Sequence, residues 1–226
     1  MAVAPRPGFS RQLASEFVGT TGLLIAVVGS GIAVSRAAES DAIALLIHAI
    51  VVGFALIALI AALAPWSNHF NPAVTLALWR SGRVEARRVA PLMGAQIAGA
   101  LVGVLLANLM FGETWLAIGD KPRAGFGLWL GEAIATFGLV LVVLATAGRR
   151  AEVVAWVVGL FIAAAIWFTS STSFANPAVT LGRVVTDTWS GIRAADVPAF
   201  IAAQLAGAWA ATAWVSWMGK PTSLDS

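Results

Sequence analysis

Two copies of one hexapeptide hold the residues with the most chemistry to offer. Asn71-Pro72-Ala73-Val74-Thr75-Leu76 recurs as Asn176-Pro177-Ala178-Val179-Thr180-Leu181. Proline at a first helical position lacks an N–H that would be unused there, and the asparagine before it can cap the free amides that follow. Each copy therefore reads as the sharp start of a short helix, over about 72–80 and about 177–184. The first would rise roughly 12 Å, near half the hydrocarbon thickness of a bilayer. A helix N-terminus carries about half a positive charge, which is poorly damped away from water. Two such ends meeting tip to tip would repel cations and excess protons, while the Asn71 and Asn176 amides offer N–H donors to a passing hydroxyl. Backbone carbonyls of 67–70 and 172–175 would supply acceptors, since irregular backbone is tolerated at membrane depth only where it lines a cavity. One copy alone could be a plain capped helix start. Two copies at equivalent places favour a pore.

The elements that must position these tips are apolar spans. The chain has 226 residues, 59% hydrophobic and 11% charged, where a soluble domain carries about a quarter charged residues. The charges cluster, leaving 17–34, 42–64, 89–111, 153–182 and 197–218 free of them and 124–147 broken only by Glu132. Runs of roughly 17–25 apolar residues cross a bilayer as helices. The expected spans are 11–34, 41–64, 89–111, 126–147, 153–172 and 196–218, with short re-entrant helices in 65–88 and 173–195. The first ten residues do not read as a secretory signal, because the first apolar run is longer than such a signal's core. Two weaker echoes keep the order of the hexapeptides. Glu16-x-x-Gly19-Thr20 matches Glu132-x-x-Ala135-Thr136, and Gln96-x-x-Gly99-Ala100 matches Gln204-x-x-Gly207-Ala208. Each half, about 10–111 and about 124–219, then holds three spans and one half-helix within a single channel domain, 1–226. Three is odd, so the second half enters the membrane inverted, which places the working site at the repeat interface near the midplane. The fold class expected is an all-α membrane protein of six transmembrane helices, two re-entrant half-helices and inverted three-helix repeats.

Basic residues set the orientation. With the N-terminus inside, Arg6, Arg11, Arg80, Arg83, Arg87, Arg88, Arg149, Arg150 and Lys220 are cytoplasmic, against Arg36, Lys121, Arg123, Arg183 and Arg193 outside. Both termini are expected in the cytoplasm. The net charge of +3 comes from loops and points to orientation, not to a nucleic-acid partner. Trp115, Trp129, Trp189 and Trp217 sit near run ends, as interfacial anchors do. With no cysteine and two histidines, no metal site is expected. No phosphate loop, nucleophile elbow or carboxylate pair is present, so neither a cofactor nor an enzymatic activity is expected.

These pieces together resemble the aquaporin (major intrinsic protein) family over nearly the whole chain: Glu16-x-x-Gly-Thr, Ser67-Asn68-His69-Phe70 before the first motif, Gln96-x-x-Gly-Ala, Glu132, and Ser173-Phe174-Ala175 before the second. The resemblance implies passive conduction of water and small neutral solutes through a lipid bilayer, in a homotetramer with one pore per subunit. Two departures stand out. The stretch before the first motif is one residue shorter than usual, and Val179 stands where most members carry arginine. That arginine belongs to the family's constriction, whose other positions carry over by spacing to Ser173, Ala164 and Val52, or Val51 if no deletion is counted. Such a neck is wide and weakly polar, and a fixed charge near the mouth is lost. This resembles a bacterial branch linked to arsenic-resistance operons, implying glycerol-like solutes, neutral arsenite and methylated arsenicals as cargo and a bacterial inner membrane as the location.

The remaining polar residues have plainer readings beside sharper ones. Intramembrane carboxylates are functional candidates by default, yet the twinned placement of Glu16 and Glu132 favours bracing of the two motif loops over a proton relay. His69 is expected as a loop brace or a pore-facing group. His48, one turn before Val52, either faces the pore or pairs between helices. Arg183, four residues after Val179, could offer a vestibular charge, but a surface arginine at a helix C-terminus is favoured by the dipole. Gly22, Gly99, Gly103, Ala203 and Gly207 mark close helix packing. A water-selective pore and an ion-coupled transporter are the rival functions.

Overall fold

The computed structural model describes residues 8–219. Arg6 and Lys220, used above for orientation, lie outside them. Among the described residues, six helices are long and apolar enough to cross a membrane: α1 (Phe9–Ala37), α2 (Asp41–Leu63), α4 (Ala86–Met110), α5 (Phe126–Thr146), α6 (Ala151–Phe168) and α8 (Val197–Met218). Between them lie the two half-helices, α3 (Pro72–Arg80) and α7 (Pro177–Gly182), the latter running into a 3₁₀ turn at Arg183–Val185. Asn71 caps α3, its Oδ1 accepting from the Ala73 amide at 2.9 Å, and Asn176 caps α7 by the same bond to Ala178 at 2.9 Å.

The two halves are built alike. In each, the first helix packs on the last, α1 on α4 and α5 on α8, while α2 meets α6 across the middle. Small residues make this possible. A Cβ at Gly99 would stand 2.4 Å from the Phe17 carbonyl oxygen, and one at Gly207 would stand 2.2 Å from that of Ala133. Both glycines let two backbones touch, at matching crossings in the two halves.

The spans deviate from expectation chiefly at α6, which stops at Phe168 although its charge-free run continues. Thr169 turns extended, its hydroxyl bonding back to the Ala165 carbonyl at 2.7 Å. Thr172 and Ser173 then take left-handed backbone, at φ of 61° and 49°.

Candidate pore and selectivity site

The half-helix tips meet through the residues that start them. Asn71 Nδ2 donates to the Ala175 carbonyl at 2.8 Å, and Asn176 Nδ2 donates to the Phe70 carbonyl at 2.8 Å. Each bond crosses from one half of the chain to the other. Phe70 and Ala175, the accepting residues, both have positive φ, 51° and 46°. Non-glycine residues enter that region at a cost and persist only where their surroundings hold them. An asparagine amide has two N–H groups, so one on each tip remains for the pore.

What holds the strained loops is a carboxylate in each half. Glu16 accepts from the Ser67 hydroxyl, from the His69 amide at 2.9 Å and from the Phe70 amide at 2.7 Å. Glu132 accepts from the Phe174 and Ala175 amides, both at 2.9 Å. Gln96 and Gln204 complete the pattern. Each donates to its glutamate, at 2.7 and 2.6 Å, and to the hydroxyl of Thr75 or Thr180, at 2.9 and 2.8 Å. Neither carboxylate is left free. The glutamine and threonine roles went unread in the sequence, although both lie within the repeated pieces.

One cavity of about 100 Å³ runs past both tips. Its walls follow helical stripes. From α2 come His48, Val52, Leu56 and Ile60, and from α6 come Val154, Val158, Ile162 and Ile166, each set four residues apart. The half-helices contribute Asn71, Val74 and Leu78 on one side and Asn176, Val179 and Arg183 on the other. Asn68, His69, Thr172, Ser173 and Phe174 line it from the loops.

Three of the expected constriction residues, Val52, Ser173 and Val179, lie in this wall, and the Val51 alternative is exposed on the far side of α2. Ala164 does not reach the cavity. It lies on the outward side of α6, exposed, because two residues along a helix turn a side chain to the opposite face; Ile162 and Ile166 occupy the wall there. His69 lines the cavity with its ring while its amide braces Glu16, and its Nδ1 lies 3.2 Å from the Thr75 hydroxyl. His48 also serves both ways, its Nδ1 2.8 Å from the Ser30 hydroxyl.

Arg183 overturns the expectation of a surface arginine. It is 3% exposed and lines the cavity. Its guanidinium stacks on the Phe174 ring at 3.5 Å to the centroid, and its Nε donates to the Ser190 carbonyl. The signal was in the repeat. Arg183 stands to Val179 as Leu78 stands to Val74, and both pairs face the cavity. The fixed charge expected to be lost with the valine is thus present, one helical turn further along the same wall.

The sequence profile described as major intrinsic protein matches residues 4–154 and again 147–225. The chain belongs to the major intrinsic protein family. Members are channels for water and small solutes, and not enzymes. This major intrinsic protein is 47% identical over 213 residues to aquaglyceroporin AqpS of Rhizobium meliloti, covering 94% of this chain and 91% of that one. It is 31% identical over 206 residues to aquaporin TIP1-1 of Arabidopsis thaliana, covering 83% and 80%. In fold it is similar to the X-ray structure of the aquaglyceroporin from Plasmodium falciparum, with a TM-score of 0.76 at 19% identity over 92% of this chain and 95% of that one.

Proposed function

We propose that this protein is an aquaglyceroporin-like channel passing small neutral hydroxylated solutes, glycerol and neutral arsenicals such as arsenite and methylarsenicals, passively through a bacterial inner membrane. The observation that carries the reading is that Val179 and Val52 both line the cavity wall, with Arg183 one helical turn beyond Val179. The pore lining is an apolar trough with few polar groups, a pattern that fits solutes with a carbon or metalloid face and several hydroxyls. Ser173 offers one of those groups, since its hydroxyl is buried without a partner. The filter is then Val52, Ser173 and Val179 with Ile162 and Ile166 in the place expected for Ala164. Asn71, Pro72 and Ala73 with Asn176, Pro177 and Ala178 form the ion-rejecting centre, braced by Glu16, Glu132 and His69. The relative named as an aquaglyceroporin supports the solute class. A homotetramer with both termini cytoplasmic completes the proposal.

An ion-coupled transporter needs an ionisable group free to bind the coupling ion, and both buried glutamates are tied into loops. Swelling of proteoliposomes in water, glycerol, urea and arsenite tests the solute class. Fast water entry without glycerol or arsenite entry would leave a water-selective pore instead.

A further inference from the structure

The mouth beside Arg183 gathers two more cations. The loop before α5 brings in Lys121 and Arg123, and all three side chains converge on successive carbonyls of one turn. Lys121 Nζ and Arg123 Nη2 both donate to the Trp189 oxygen, at 2.9 and 3.4 Å. Arg183 Nε donates to the Ser190 oxygen, and Arg123 Nε to the Gly191 oxygen at 2.9 Å. Arg123 and Arg183 also share the Phe174 ring, at 4.8 and 3.5 Å to its centroid.

Neutral acceptors hold these groups together, and among the described residues no carboxylate pairs with their side chains. Asp196 accepts from the Arg123 backbone amide at 2.7 Å and pairs its charge with Arg193 at 3.0 Å. Glu132 is bound by loop amides, as described above. Asp41 acts on Lys121 only at longer range. Lys121 and Arg123 are held below their ordinary values, to about 8 and about 10, first by burial; for Lys121 the neighbouring arginines add to it. Positive charge is therefore crowded here, with Glu132 acting on Arg123 and Arg183, and Asp41 on Lys121, only from a distance. Arg183 uses one of its five donors on the Ser190 carbonyl, and a guanidinium's remaining fork matches an oxyanion.

We propose that Lys121, Arg123 and Arg183 form a binding site for a small tetrahedral oxyanion, of the phosphate or sulfate class, whose occupancy blocks the pore mouth. Arg183 is the one of the three that lines the cavity, so the ligand is a free anion reaching it from the vestibule and not a lipid headgroup, with Lys121 and Arg123 adding charge from their bonds to the 189–191 turn. A charged ligand held there goes no further, since the wall beyond it is Val52, Ile162 and Val179. The inference is independent of which neutral solute permeates, but its consequence rests on the channel reading.

The test pairs calorimetric titration of the detergent-solubilised protein with inorganic phosphate and stopped-flow glycerol uptake into vesicles of neutral lipid, at constant ionic strength with chloride as the control. With a dissociation constant on the order of 1 mM, about 10 mM phosphate fills roughly nine-tenths of the sites and slows uptake roughly tenfold. Lys121→Gln keeps a donor for the Trp189 carbonyl and removes the charge. It should leave glycerol uptake without phosphate unchanged while weakening both binding and block several-fold, and Arg183→Gln should abolish binding. No phosphate heat, or equal block in wild type and Lys121→Gln, overturns the proposal. Phosphate binding with no glycerol uptake in the wild type would instead overturn the solute reading and leave the site standing. A block that appears only in vesicles of anionic lipid, without added phosphate, overturns the free-anion assignment.

Discussion

Val179 and Arg183 share a wall one helical turn apart, so charge and width are separated along the pore. Placing an arginine at 179 would merge them again and crowd two guanidiniums. Val179→Arg should cut glycerol and arsenite flux by roughly tenfold or more while water flux falls less, as steric discrimination in a lined pocket allows. Equal solute flux in wild type and variant would sink the wide-neck reading. Lys121 carries a second prediction at this scale. With its ammonium held near pH 8 by burial and by Arg123 and Arg183, it is about half neutral there, where an ordinary lysine is under about 1% neutral. An amine-reactive ester at pH 8 should acylate Lys121 markedly faster than a free lysine, read by mass spectrometry of peptides. A reactivity midpoint near pH 10 would contradict the crowding described at the mouth. Glu132 belongs here too. Removing it in Glu132→Ala leaves the Phe174 and Ala175 amides buried without acceptors, each worth about 1–3 kcal/mol. Thermal unfolding in detergent should show a large loss, matched by Glu16→Ala in the other half.

Among the elements, the helices were legible from charge-free runs and the half-helices from Asn-Pro starts, because both signals are local. The end of α6 was not. Its charge-free run passes through the hydroxyl residues 169–173 with no charge or proline to mark a stop, and the turn there is made by side-chain bonding and left-handed backbone. Extending the run to 172 and counting back from Asn176 put Ala164 in the wall. The helical stripe through Val158, Ile162 and Ile166 would have excluded it. Arg183 is ambiguous for a related reason, since a basic residue near a helix end has a ready surface explanation, and the spacing from Val179 decides against it only once the alignment with Leu78 is added. The twinned placement of Glu16 and Glu132, by contrast, points to braces, and their hydrogen bonds run to the two motif loops. Helix crossings are testable on one element. Gly99→Ala drives a Cβ into the Phe17 carbonyl, whereas Gly94 on the same helix has nothing within 4 Å of such an atom. Unfolding temperature should fall for Gly99→Ala and hold for Gly94→Ala; a comparable fall in both would mean that helix α4 responds to composition and not to the crossing.

For the whole molecule, a passive pore responds to the gradient of its solute alone. Collapsing proton and sodium gradients across vesicles should leave glycerol flux unchanged, and any dependence on either would reinstate a coupled transporter. The stacking of α2 on α6 and the matching of α1–α4 with α5–α8 make the two halves near-equivalents, which the repeated motifs make readable from the sequence alone. The halves differ at one mouth. The mouth beside α7 carries Lys121, Arg123 and Arg183, and the opposite half-helix has Leu78 at the position equivalent to Arg183. The conduit is thus electrically polar along its length, although its backbone is nearly symmetric.

The reciprocal bonds from Asn71 to Ala175 and from Asn176 to Phe70 reach beyond the making of a pore. Each half of the chain closes the other's strained loop, so parting the tips would break two buried bonds at once and release two left-handed residues. The midpoint is therefore the stiffest part of the conduit. Any opening and closing that the channel performs belongs to its ends, beside His48 and Arg183 on one side or beside Leu78 and Val154 on the other.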